Sequence, residues 1–164
     1  MPRSNYFDDI WDLDHDPDLA EAMGTLIIVW AAAESRLVWL LSIVCQVDIN
    51  RANEIYHQMP TFESRTKVLR AFLVDWRTKK YKVKEIARVI AVLSRLSKTR
   101  NHWVHGHWMK GEDSDETAVV NFRVKREQRG KIVKAADVHN HLEAVRDQIQ
   151  LLCKLVPAPR WPRS

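Results

Sequence analysis

The stretch from Lys82 to Gly106, KVKEIARVIAVLSRLSKTRNHWVHG, decides the fold. Ile86, Val89, Ile90, Leu93 and Leu96 recur at spacings of three and four, which places them on one face of a helix. The pattern continues to Arg100, and Gly106 is its natural C-terminal stop. Arg100 stands seven residues after Leu93 and four after Leu96, so it projects from the same face as those apolar side chains. A guanidinium at such a position requires a buried acid, a cleft or a partner subunit. Asn101 and His105, four apart, stack on an adjacent face, so three polar groups converge on one helix end.

Working outward from that helix, Asp16-Pro17 reads as an N-cap followed by proline at the first helical position, opening a long helix that runs to about Val47. Its apolar stripe is Met23, Ile27, Trp30, Leu37, Leu41 and Val44, and Glu34 falls on that stripe. With Glu34 and Arg36 at its middle, the span from Thr25 to Cys45 is expected to be a buried helix. Each charge there would cost roughly 2.5–3.5 kcal/mol in a bilayer. Asn50 can cap a short second helix ending near Met59-Pro60, and Thr61 a third that carries Phe62, Val68, Leu69, Phe72, Leu73 and Trp76. Arg77 to Lys82 reads as a connecting loop.

After an acidic loop at 111–117 the period changes from helical to alternating: Val120, Phe122 and Val124 point one way, Asn121, Arg123 and Lys125 the other. Arg129-Gly130 makes a turn and Ile132-Val133 the return strand. A closing helix from about Asp137 to Leu155 turns Leu142, Val145, Ile149, Leu152 and Val156 inward. The expected fold is therefore mainly α, an antiparallel bundle of four to five helices with a small β-hairpin inserted at about 118–134. It forms a single domain over 17–156, between an irregular acidic segment, 1–16, and a basic, Pro-rich tail, 157–164.

A chain of 164 residues with 46% apolar residues, four Gly and seven Trp has the composition of one packed domain. Cys45 and Cys153 fit neither a disulfide framework nor zinc-ligand spacing, and read as core thiols of a reducing compartment. The first twenty residues are acidic where a secretory signal needs a basic and then an apolar region, so a cytoplasmic location is expected. The formal charge of +5 is uneven: Glu63 to Lys110 holds thirteen Lys or Arg against three acids. Such an excess attracts polyanions, of which nucleic acid is the commonest in a cytoplasm. Lys79, Lys80, Arg95 and Lys98 are the candidate RNA-binding residues, the alternative being a solvated basic face that keeps the chain soluble.

Histidine gives and takes protons near neutrality, arginine offers a planar fork to phosphate oxygens, and asparagine holds a hydroxyl or water in place. Together they suffice to cut RNA without a metal. Arg100-Asn101-His102-Trp103-Val104-His105 resembles the Arg-Asn-x-x-x-His form of the active-site motif of the HEPN superfamily, whose members are α-helical bundles. Many of them are metal-independent endoribonucleases of toxin–antitoxin, phage-defence and RNA-processing systems. The order of long helix, shorter helices, motif helix and closing helix matches too.

The resemblance implies that Arg100, Asn101 and His105 are catalytic and that two protomers place their motifs together in one composite site. It implies no cofactor and no metal, with RNA as substrate and an antitoxin or regulatory protein as a possible partner. It also places the first helix near the motif helix, making Glu34 a supporting residue for Arg100. Some relatives carry a tyrosine two residues after the motif histidine, where this chain has His107, so that role does not transfer. Arg51 to His57 and Arg95 to His102 repeat the Arg-to-His spacing without the adjacent Asn and the stop at Gly106.

Three other readings compete. His102, His105 and His107 are close enough to touch a cation, but no second cluster completes a familiar ligand set. His139-Asn140-His141 lies in the closing helix, without the strand context of a nuclease of that signature. The third alternative is a non-catalytic helical module that uses the basic surface to bind RNA or a protein. No glycine-rich phosphate loop or nucleophile elbow is present.

Overall fold

The computed structural model describes residues 7–9, 13–76, 81–111, 116–120 and 131–157. Their order is β1 (Phe7–Asp9), α1 (Pro17–Cys45), α2 (Ile49–Gln58), α3 (Phe62–Asp75), α4 (Val83–His105), β2 (His107–Gly111), β3 (Thr117–Val120), β4 (Lys131–Ile132) and α5 (Ala135–Leu155). The chain is mainly helical with a small antiparallel sheet, as the sequence pattern requires.

The helix ends follow from local chemistry. Asp16 accepts from the Leu19 amide at 3.1 Å, fixing the start of α1. The cap of α2 is Asp48, two residues before the expected Asn50, and it accepts from the amides of Asn50 and Arg51 at 2.9 and 3.0 Å. Thr61 opens α3 with a capping box: its hydroxyl accepts from the Ser64 amide, while the Ser64 hydroxyl accepts from the Thr61 amide. At the end of α1, Gln46 takes a left-handed φ of 56° and the Val47 amide donates to the Ser42 carbonyl at 3.1 Å. That is the six-to-one bond of a Schellman cap, made without the usual glycine.

The chain divides into two compact units, 1–28 with 98–143 and 29–97 with 144–164. Among the described residues, the regular structure of the second is all helical. Its core joins Trp30, Leu37 and Leu41 of α1, Tyr56 of α2, Leu69 of α3, Ile90 and Leu93 of α4, and Leu152 of α5. Trp30 and Phe62 meet with ring centroids 4.9 Å apart. Each fully buried Leu or Ile in such a core contributes about 1.5–3 kcal/mol.

The first unit carries the sheet, in the order β1-β2-β3-β4 with every pair antiparallel. Two sequence expectations change here. The segment 1–16 was expected to be irregular, yet Phe7–Asp9 pairs with Met109–Gly111. The hairpin expected at 118–134 has its base in β3 and β4, with Ala118 opposite Ile132. It is extended by β2, which pairs His107 with Val120 across the acidic loop. Thr117, Ala118, Val119 and Val120 are all buried, so both faces of β3 are covered and no alternation toward water is left. The rest of the expected hairpin, 121–130, lies outside the described residues.

The buried stripe of α1 also differs from expectation. It passes through Leu26, which is fully buried, and leaves Ile27 half exposed and Ile28 72% exposed. By length and composition α1 is apolar enough to cross a membrane, while its Leu19, Leu26, Trp30 and Leu37 are buried within the fold. Cys45 and Cys153 are free, half-buried thiols, and burial pushes the Cys45 pKa up.

Candidate active site

The motif residues occupy the last turns of α4, in the first unit. Arg100 is half-buried, as its spacing from Leu93 and Leu96 predicts, while Asn101 and His105 are exposed. The guanidinium of Arg100 donates through Nη1 to the Asn101 side-chain oxygen at 3.0 Å, so the two groups form one unit at the margin of the helix. His105 is the last residue of α4, one turn beyond Asn101 on the same side. Lys98, three residues before Asn101, adds an exposed cation to that side.

This helix end is held from below. Trp103 is buried and meets the buried His141 of α5 edge to face, with ring centroids 5.1 Å apart. The Trp103 carbonyl, among the last of α4 and so without an intrahelical donor, accepts from the Trp108 indole of β2 at 2.9 Å. Gly106 makes the passage from α4 into β2 without a positive φ, so its role differs from that of a left-handed helix stop. A Cβ there would collide with the Val119 side chain and the His102 carbonyl. Glycine is needed because β3 passes so close to the chain at this point. In the same unit, His15 shares a hydrogen bond of 3.0 Å with the Thr117 hydroxyl.

Glu34 has a partner other than the one expected. Its carboxylate receives Nη1 of Arg65, from α3, at 2.8 Å. Arg65 also donates through Nε to the Met59 carbonyl at 3.0 Å and lies 4.9 Å from the centre of the Tyr56 ring. Burial, and next the nearby Glu34 carboxylate, push the Tyr56 phenol pKa up against the opposing pull of Arg65. Glu34 thus belongs to a polar cluster in the second unit, where the partner its carboxylate shows is Arg65. The signal was present in the sequence: Arg65 falls between Phe62 and Leu69 on the buried stripe of α3, one charge on a stripe answering another.

No family model, no curated protein and no solved structure matches the chain. The site is therefore read from its own geometry. Arg95 and Lys98 are exposed on α4, whereas Lys79 and Lys80 lie outside the described residues. Arg70, Lys84, Arg88, Arg95 and Lys98 are exposed cations with no salt bridge among the described residues, while Lys67 and Lys82 are paired with Glu63 and Glu85. Lys84, Arg88 and Arg95 recur at four and seven along α4, which lines them on one solvent-facing stripe. No group of three His, Cys, Asp or Glu side chains is gathered to hold a metal among the described residues. The second motif-like pair, Arg51 and His57, sits on α2, where Arg51 pairs with Glu54 at 2.9 Å.

Proposed function

We propose that the chain is a metal-independent endoribonuclease of HEPN type, acting through Arg100, Asn101 and His105. The observation that carries this reading is the arrangement at the end of α4. A half-buried guanidinium is hydrogen-bonded to Asn101 at 3.0 Å, with an exposed imidazole one turn further on.

In the proposed reaction, the His105 imidazole takes the proton of a ribose 2′-hydroxyl and the 2′-oxygen attacks the adjacent phosphorus. The bond to the 5′-oxygen breaks, leaving a 2′,3′-cyclic phosphate and a 5′-hydroxyl. A second imidazole must protonate that leaving oxygen. Each chain offers one His105, so a twofold dimer with both motifs at its interface supplies the pair. Arg100 offsets the charge that develops on the phosphoryl oxygens, and Asn101, held by Arg100, positions the ribose. The exposed cations of α4 bind the RNA backbone. Exposed Ile27 and Ile28, in the same unit as the motif, are apolar surface suited to a second copy. The setting is cytoplasmic, as part of a toxin or phage-defence system, with an antitoxin or regulatory protein as its inhibitor.

The test is incubation of pure protein with end-labelled RNA in excess EDTA, with light scattering on the same sample. Cleavage that leaves 2′,3′-cyclic ends and a dimeric mass support the reading. Absence of cleavage across varied RNAs, or cleavage that needs a metal, overturns it in favour of a helical binding module or another chemistry.

A further inference from the structure

In the second unit, α3 and α4 leave an open groove of about 570 Å³ between them. On α3, Lys67, Arg70, Ala71 and Val74 recur at spacings of three and four, so they form a second stripe on a helix whose Leu69 already packs into the core. On α4, Val83 and Ala87 are one turn apart and line the same groove, with Lys84 beside them. Two helix faces at these spacings make a seat for a third helix, and the small side chains of Ala71 and Ala87 let its backbone come close.

The lining is apolar at its centre and cationic at its rim. Val74 is 83% exposed, the highest value among the exposed large apolar side chains described. One exposed valine is ordinary on a surface. Here it is continuous with the exposed Ala71 and the half-buried Val83 and Ala87 in one concave surface, the kind of patch that a protein partner covers. Arg70 stands on the α3 wall and Lys84 on the α4 wall, both exposed and without a salt bridge among the described residues, while Lys67 is paired with Glu63 at 2.8 Å. No acidic side chain lines the groove. An occupant that answers both walls carries carboxylates on its two flanks and apolar side chains between them. RNA would meet the cations but leave the aliphatic surface without a partner. The one aromatic ring in the lining, Trp76, already has Tyr81 stacked on it at 5.0 Å between centroids.

We propose that this groove docks an amphipathic helix of a partner protein, its apolar seam seated on Ala71, Val74, Val83 and Ala87 and its flanking Asp or Glu side chains reaching Arg70 and Lys84. The proposal goes beyond the nuclease reading and stands without it, since no motif residue lines the groove. Lys84 is also among the α4 cations assigned to RNA above, so a docked helix would compete with RNA for it.

The probe is a synthetic helical peptide of about three heptads, with Leu along one seam and Glu on both flanks, labelled for fluorescence anisotropy against the full chain. Its controls are the same peptide with Lys in place of Glu, and a peptide of the same composition in scrambled order. The Glu-flanked peptide should bind saturably in the micromolar range, and both controls at least tenfold more weakly. Val74→Ser, at an exposed position where the fold does not depend on the side chain, removes apolar surface without adding charge and should weaken binding about fivefold or more. Arg70→Glu should weaken it at least tenfold and bind the Lys-flanked peptide more tightly than the parent does. No saturable binding up to millimolar peptide, equal binding of the scrambled peptide, or parental affinity in Val74→Ser would each overturn the proposal. Binding of a single-stranded RNA and the mass of the chain by light scattering are followed in parallel. If Val74→Ser loses RNA affinity but keeps the peptide, the groove belongs to RNA. If it turns a dimer into a monomer but keeps the peptide, the groove belongs to a second copy, and either result overturns the proposal.

Discussion

Removing either partner of the Glu34–Arg65 pair should give unequal losses of stability, and the inequality can be worked from the contacts. The side chains are 26% and 15% exposed, between a surface pair worth about 0.2–1 kcal/mol and a buried pair whose breakage costs about 3–5 kcal/mol. Glu34→Gln, which keeps the shape and removes the charge, should therefore cost about 1–2 kcal/mol. Arg65→Met loses the same pairing and two further contacts. Its bond to the Met59 carbonyl is of the charge-assisted kind worth about 1.5–3 kcal/mol, and its position over Tyr56 adds about 0.5–2 kcal/mol. Allowing for overlap among these terms and for the apolar Met stem, Arg65→Met should cost about 3–5 kcal/mol. Urea unfolding of the two single variants and the double variant gives the coupling energy, expected at about 1–2 kcal/mol. Glu34→Gln and Arg100→Ala should instead be additive to within about 0.5 kcal/mol. A strong Glu34–Arg100 coupling with none between Glu34 and Arg65 would refute the reasoning and return Glu34 to the motif.

Three further outcomes follow from single features. Gly106→Ala must displace the Val119 side chain or the His102 carbonyl, so it should lower stability by roughly 1–3 kcal/mol in urea melts and impair the motif beside it. A change within 0.5 kcal/mol would mean the chain there has room to spare. Gln46→Gly relieves a left-handed residue at the end of α1 and should raise stability by about 0.5–1 kcal/mol, whereas a loss would show that the Gln46 side chain contributes more than its backbone costs. Because desolvation lowers the His141 pKa, the unfolded chain binds its proton more readily. The stability contributed by the neutral ring is thus present above about pH 6.5 and declines as pH falls toward the folded value, by about 1.4 kcal/mol per unit crossed. Unfolding midpoints at pH 7.5 and 5 should converge in His141→Leu relative to the parent, and an unchanged difference would exclude His141 as the source.

The helices were legible because each carries a periodic stripe and a local cap. Ile86, Val89, Ile90 and Leu93 are buried as their spacing requires, and the half-burial of Arg100 follows from the same count. The sheet was only partly legible. β1 is three residues of an acidic segment, and its pairing with β2 joins positions about a hundred residues apart, which no local pattern encodes. β2 begins directly after Gly106, where the helical stop hid the strand that follows. On α1, Leu26 and Ile27 are equally apolar, so only packing chose Leu26 for the inside. At the candidate site the residue types and the helix end were readable. The lock of Trp103 by Trp108 and His141, and the Arg65 partner of Glu34, depend on tertiary placement.

The central claim stands or falls on His105, because the proposed chemistry gives it a role in the transition state and little in ground-state binding. Single-turnover cleavage of a labelled RNA in EDTA, with binding of the same RNA measured in parallel, separates the two roles. His105→Ala should lose about 10²–10⁴ in rate with affinity unchanged within a few-fold. Arg100→Ala should lose rate and affinity together, since its fork meets phosphate in both states. Cleavage by His105→Ala at the parent rate, with loss of activity appearing in Arg51→Ala or His57→Ala, would contradict the account and move the site to α2.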